Sequence, residues 1–103
     1  TQQIWQDPAT GYLRRSLSPR SGGPLDLVQI DLPAGASVSY PASNYNFTRH
    51  QIWVQEGQLT FVEGEETHYL GPGDCLELGA PCDCTFANRS RLPCRYLVVV
   101  ALR

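Results

Sequence analysis

Two stretches of this 103-residue sequence hold residue types that could do chemistry: HQIWVQEGQLTF over 50–61, and a cluster of thiols at Cys75, Cys82, Cys84 and Cys94. His50 has an imidazole whose unperturbed pKa, near ~6.5, lets it switch charge or accept a hydrogen bond close to neutral pH. As a general base it would need an oriented partner and an activated substrate, and the sequence names neither. Ser, His and Asp all occur, but there is no G-x-S-x-G and no Cys beside a turn-mounted helix, so no activated nucleophile is legible. Cys82-x-Cys84 is too tight for the usual zinc-knuckle spacing, and no second Cys or His pair follows it. Cys82, Cys84 and Cys94 on adjacent strands would suit a redox or soft-metal sensor. The plainer reading makes them small buried apolar residues.

The chain must be able to fold around these groups. Hydrophobic residues make up 42% and charged ones 17%, which fits one globular domain and excludes disorder. Net charge is −2 and all eight basic residues are arginine, which gives no basic face for nucleic acid or an acidic membrane. No apolar run approaches the ~20 residues of a membrane helix. The polar start TQQIWQDPATG is not a signal peptide, so the thiols are expected to be reduced and the protein cytoplasmic. Asn46-Phe47-Thr48 and Asn88-Arg89-Ser90 fit a glycosylation pattern that is too common to carry weight. The sequence contains no methionine and is read as part of a longer protein.

Turn residues punctuate the chain roughly every eight to twelve residues, with short alternating apolar runs between them, and nowhere is there helical periodicity over three turns. Strands are expected over 12–18, 25–32, 37–40, 51–55, 58–63, 67–70, 75–78, 82–87 and 95–102. The turns lie at Asp7-Pro8, Ser21-Gly22-Gly23-Pro24, Pro33-Ala34-Gly35, Glu56-Gly57 (read as a hairpin), Gly64 and Gly71-Pro72-Gly73. A polar loop fills 41–46. So many short strands leave exposed edges unless the sheets close on each other, and an all-β jelly roll does that.

These residues resemble the cupin superfamily, whose motifs run G-x5-H-x-H-x(3,4)-E-x6-G and G-x5-P-x-G-x2-H-x3-N. Gly57 matches the closing glycine of the first motif, which puts His50 where the glutamate stands. Gly73 and Asn88 match the ends of the second, with Pro/Gly reversed at Gly79-Ala80-Pro81 and Cys84 on the histidine. The two upstream histidines fall on Asn44 and Asn46, or on Ser43 and Tyr45, depending on the spacing taken. His50 and Cys84 are thus the two conventional ligands left. No metal cofactor is expected, and these two would hold one if it bound. More closely, WQDPATGYLRRSLSP, LVQIDLPAGASVSYPA, YLGPGDCLEL and TFANRSRLPCRYLVVV resemble the C-terminal cupin domains of bacterial helix-turn-helix regulators of the xenobiotic-response-element type.

The resemblance implies a single cupin-type jelly-roll β-barrel over 1–103, with 1–20 as an N-terminal strand segment at a dimer interface and 21–103 as the barrel. It implies an effector-sensing domain, not itself DNA-binding, attached to an N-terminal helix-turn-helix domain in a homodimer. The pocket would then be lined by Asn44, Tyr45, Asn46, Phe47, His50, Ile52, Val54, Cys82, Cys84 and Phe86, largely apolar with one titratable group. Strand parity turns Trp53 outward, and a strand carrying Trp5, from the same or a partner chain, is expected to cover it. Arg14 and Arg15 point to opposite faces and read as surface or dimer contacts, the sharper alternative being a clamp on an anionic effector. Two other readings stay open: a small metal-dependent cupin enzyme such as a dioxygenase or isomerase, and a stand-alone small-molecule-binding barrel.

Overall fold

Alternation of apolar and polar residues makes the strands, and in the computed structural model, which describes residues 4–19 and 23–102, ten of them form. They are β1 (Ile4–Gln6), β2 (Leu13–Ser16), β3 (Leu25–Leu32), β4 (Ser37–Tyr40), β5 (Thr48–Glu56), β6 (Leu59–Glu63), β7 (Glu66–Leu70), β8 (Cys75–Glu77), β9 (Cys84–Ala87) and β10 (Cys94–Leu102). A single 3-10 turn, Ala42–Tyr45, occupies the expected polar loop. The expected turn at Ser21 and Gly22 lies outside the described residues.

Two antiparallel sheets face each other, in the order β1-β2-β3-β10-β5-β8 and β4-β9-β6-β7. In β3, Val28, Ile30 and Leu32 are buried, while Leu27, Gln29 and Asp31 lie on the outer face. The same parity buries Ile52 and Val54 of β5, and Cys94 and Tyr96 of β10. From the facing sheet come Leu59, Phe61, Cys84 and Phe86. Phe86 joins the two layers. Its ring centre lies 4.7 Å from Phe61, 5.9 Å from Tyr40 and 5.5 Å from Tyr96, the last stacked face to face.

One end of the barrel is closed by hydrogen bonds. Asn88 is 1% exposed, and its side-chain amide donates to the Leu32 and Leu92 carbonyls at 3.0 and 2.7 Å. Its Oδ1 accepts from the Ser90 backbone N–H and hydroxyl. A side chain so committed is a structural tie, which explains the asparagine at the end of the second motif.

The sequence reading of Glu56-Gly57 as a hairpin is corrected. β5 pairs with β10 and β8, whereas β6 pairs with β7 and β9, so the chain changes sheets at Gly57. Gly57 has φ +79°, and a Cβ there would stand 2.5 Å from the Pro93 carbonyl oxygen. The glycine is required by a left-handed backbone and by the close passage of β10's leading residue. A glycine turn looks the same in sequence whether the strands on either side pair or part. The β6–β7 hairpin at Gly64 pairs as expected.

The cover expected over Trp53 from its own chain is not found among the described residues. Trp53 is 50% exposed on the outer face of β5, with three strands between it and β1. Trp5 pairs with Arg14 across β1–β2, on the inner side, and meets Tyr12 edge-on at 5.5 Å.

Candidate functional site

The opposite end of the barrel is open. A cavity of about 250 Å³ lies between the sheets, with an apolar floor of Val28, Ile30, Phe86, Tyr96 and Val98. The 3-10 turn and the end of β4 bring Asn44, Tyr45 and Tyr40 to one wall, and Arg14, Asp26, Thr48, His50 and Val100 form the rest of the lining. Sheet register assembles the mouth: Asp26 of β3 and His50 of β5 both pair with Val100 of β10, which places all three in one row on the inner face. A shallower groove lined by Trp5, Tyr12, Arg14 and Tyr40 adjoins it, with Arg14 and Tyr40 belonging to both.

His50 is half-buried and held in place. Its Nε2 lies 2.8 Å from the Thr48 hydroxyl, and the Tyr45 ring stands edge-on at 4.9 Å. Burial pushes the phenols of Tyr40, Tyr45 and Tyr96 above their ordinary value, and the Tyr12 hydroxyl adds to this at Tyr40, 3.2 Å away. All three phenols therefore stay neutral.

The expected pocket residues divide into three groups. Asn44, Tyr45, His50 and Phe86 line the cavity. Ile52, Val54, Cys82 and Cys84 face inward but pack into the core, the first two with no exposed surface at all. Asn46 and Phe47 are exposed beside the mouth, Phe47 by 80%, and neither reaches the lining. Sequence reasoning missed Asp26, Tyr40, Thr48 and the floor residues of β3 and β10. Strand parity, applied to β5 and β9 alone, would have found Val28, Ile30, Tyr96 and Val98 had it been carried to those two strands. It put Arg14 and Arg15 on opposite faces: Arg14 lines the cavity, whereas Arg15 pairs with Gln29 and Ile4 on the outer face.

The metal positions of the resembled motif hold mostly weak donors here. Burial holds the Cys84 thiol up at about 12, although the adjacent Tyr45 hydroxyl pulls it down, so a thiolate is disfavoured. The thiol donates instead to the Cys82 carbonyl at 3.4 Å. Asn44 offers a weak neutral oxygen and Tyr45 a neutral phenol, which leaves the His50 imidazole as the one strong donor. Among the described residues, the group of three His, Cys or carboxylate side chains close enough to share an ion is Glu63, Glu66 and His68, at the β6–β7 hairpin. There the Glu63 carboxylate and His68 Nε2 already pair at 3.1 Å.

Comparison with solved structures identifies the fold. The cupin_2 domain of an XRE-family transcriptional regulator from Enterobacter cloacae superposes with a TM-score of 0.78 at 17% identity, over 87% of this chain and 95% of that one. An HTH_3-family transcriptional regulator from Vibrio cholerae gives 0.79 at 18% identity, over 91% of this chain and 53% of that one. A sugar phosphate isomerase from a cupin superfamily of Silicibacter pomeroyi gives 0.65 at 28% identity, over 85% and 59%. No protein-family model matches the sequence, and no curated protein matches it. The architecture is the jelly-roll barrel of the cupins. Among the described residues no helix is long and apolar enough to cross a membrane.

Proposed function

We propose that this chain is the effector-sensing domain of a transcriptional regulator: it binds a small molecule in the open end of the barrel and does not itself contact DNA. The observation that carries the reading is the cavity. It has an aromatic and aliphatic floor under a few directional polar groups, which suits recognition of a small organic molecule. The likeness to two regulator domains supports the regulatory role. The enzymatic alternative is weaker, because the positions that would carry a metal offer one strong donor.

A homodimer with an N-terminal helix-turn-helix domain on each subunit belongs to this reading, since such readers bind two half-sites. The outer face of the six-stranded sheet carries Trp53, Leu97, Val99, Leu27 and Ile4 in adjoining rows. Effector binding then needs only different affinities for two dimer arrangements, of order 1–3 kcal/mol.

The test is the intact mass of the native protein isolated from its own cells, followed by DNA binding of that protein. The reading predicts a mass well above 11.4 kDa, with a helix-turn-helix segment ahead of Thr1. It also predicts DNA affinity that is lost when the polypeptide is trimmed to these 103 residues. A native mass near 11.4 kDa removes the DNA-binding half and leaves a stand-alone binding barrel.

A further inference from the structure

Resting on the reading of the open end as a ligand pocket, we infer that its ligand is a short zwitterion: an anionic group held by Arg14, a cationic or donor group held by Asp26, and an apolar spacer lying between them over Val28, Ile30 and Val98.

Arg14 and Asp26 both line the cavity, and neither makes an ion pair or a side-chain hydrogen bond among the described residues. Two arginine–carboxylate pairs do close among the described residues: Arg49 meets Glu77, and Arg95 meets Asp31 at 2.7 Å. Register explains why Arg14 and Asp26 do not. Arg14 of β2 is opposite Ile30 of β3, four residues along that strand from Asp26. Their Cα atoms are therefore separated by about 13 Å along the strand direction, at ~3.3 Å per residue, besides one strand spacing. The arginine side chain covers part of that distance, and a spacer of a few methylenes covers the remainder.

What lies between the two charges is apolar. Ile30 and Val28 alternate inward between Arg14 and Asp26, with Tyr96 and Val98 opposite them on β10. The Asp26 end is polar, since His50 shares its row and Thr48 bonds His50. The Arg14 end opens onto the groove of Trp5 and Tyr12, and Arg14's planar guanidinium suits a carboxylate or related anion. At about 250 Å³ the cavity is smaller than the roughly 300–1,000 Å³ of pockets for drug-sized molecules, so the ligand is a small metabolite. A cation alone or an anion alone would engage one of the two protein charges and leave the other unused. A molecule carrying both satisfies both.

The probes are δ-aminovalerate, valerate, n-pentylamine and the neutral n-pentanol, titrated calorimetrically into the full chain and into two variants. The inference predicts that δ-aminovalerate binds at least tenfold more tightly than either singly charged probe. Arg14→Gln should weaken δ-aminovalerate and valerate but leave n-pentylamine unchanged. Asp26→Asn should weaken δ-aminovalerate and n-pentylamine but leave valerate unchanged. Equal binding of all four probes overturns the zwitterion and leaves the pocket reading intact. Failure of every probe, n-pentanol included, overturns both. Both residues lie at the surface end of the lining, and circular dichroism of each variant confirms that the barrel is folded.

Discussion

The two ends of this barrel use motif residues in opposite ways. At the closed end, Asn88 spends its side chain on four hydrogen bonds and Gly57 lets β10 pass where a Cβ would collide. At the open end, the positions that bear metal ligands in the resembled motif hold Asn44 and Asn46, or Ser43 and Tyr45 by the other spacing, together with His50 and Cys84, and His50 is the one strong donor among them. The residues required by backbone geometry match the motif, while those required by metal chemistry do not. A barrel can therefore keep its architecture while the chemistry of its mouth changes, because the two depend on different side chains at different ends.

The largest effect that would break this contrast is at Gly57. Substitution to Ala should cost about 3 kcal/mol or more, combining left-handed backbone strain with overpacking. Gly73→Ala is the internal control. Its φ of +88° is also strained, but nothing lies within 4 Å of a Cβ there, so about 1 kcal/mol is expected. Urea denaturation of both variants measures the difference, and equal losses would show that crowding by Pro93 is not what fixes Gly57.

Asn88→Ala and His50→Ala sharpen the comparison. Removing Asn88 leaves buried carbonyls unpaired and should cost about 3 kcal/mol. Removing His50, half-buried at a cavity mouth, should cost about 1 kcal/mol or less in the same assay, since few core contacts are lost. A His50 variant that destabilised the fold as much as the Asn88 variant would mean that the open end is a structural tie as well.

The smallest effect concerns alkaline pH. Burial raises the Cys84 thiol from 9.0 to about 12 and the Cys94 thiol from 9.0 to about 11. The folded state therefore holds protons that the unfolded state releases. The contribution is full below about pH 9 and is lost as pH rises toward the folded values. Cys84→Ala should flatten the decline of stability between pH 9 and 11 relative to the parent. An unchanged slope would place the proton linkage elsewhere.

Much of the fold was legible because its cause is local. Residues 25–32 and 37–40 alternate cleanly between turn signals, and β3 and β4 occupy those bounds. The first residues of β5 were missed: Thr48 and Arg49 carry no apolar alternation, and pairing with Leu102 and Ala101 makes them strand. The sheet change at Gly57 was illegible for the same reason, since which strand a neighbour pairs with is decided by partners far along the chain. The cavity followed the same division. His50 and Phe86 were found from motif position and parity. Parity puts Asp26 on the inner face with Val28 and Ile30, but that it and Arg14 border one cavity is decided by the registers of β2, β3 and β10, which no local pattern announces.

The central claim is that the open end is a ligand-binding space and the closed end is packed. The most direct measurement is an NMR titration of the isotope-labelled chain with n-pentanol, following every backbone amide. The account predicts saturable shifts at Val28, His50, Val98 and Val100, with Leu32, Asn88 and Cys94 unmoved. Shifts centred on Asn88, or on the outer face around Trp53, would contradict it.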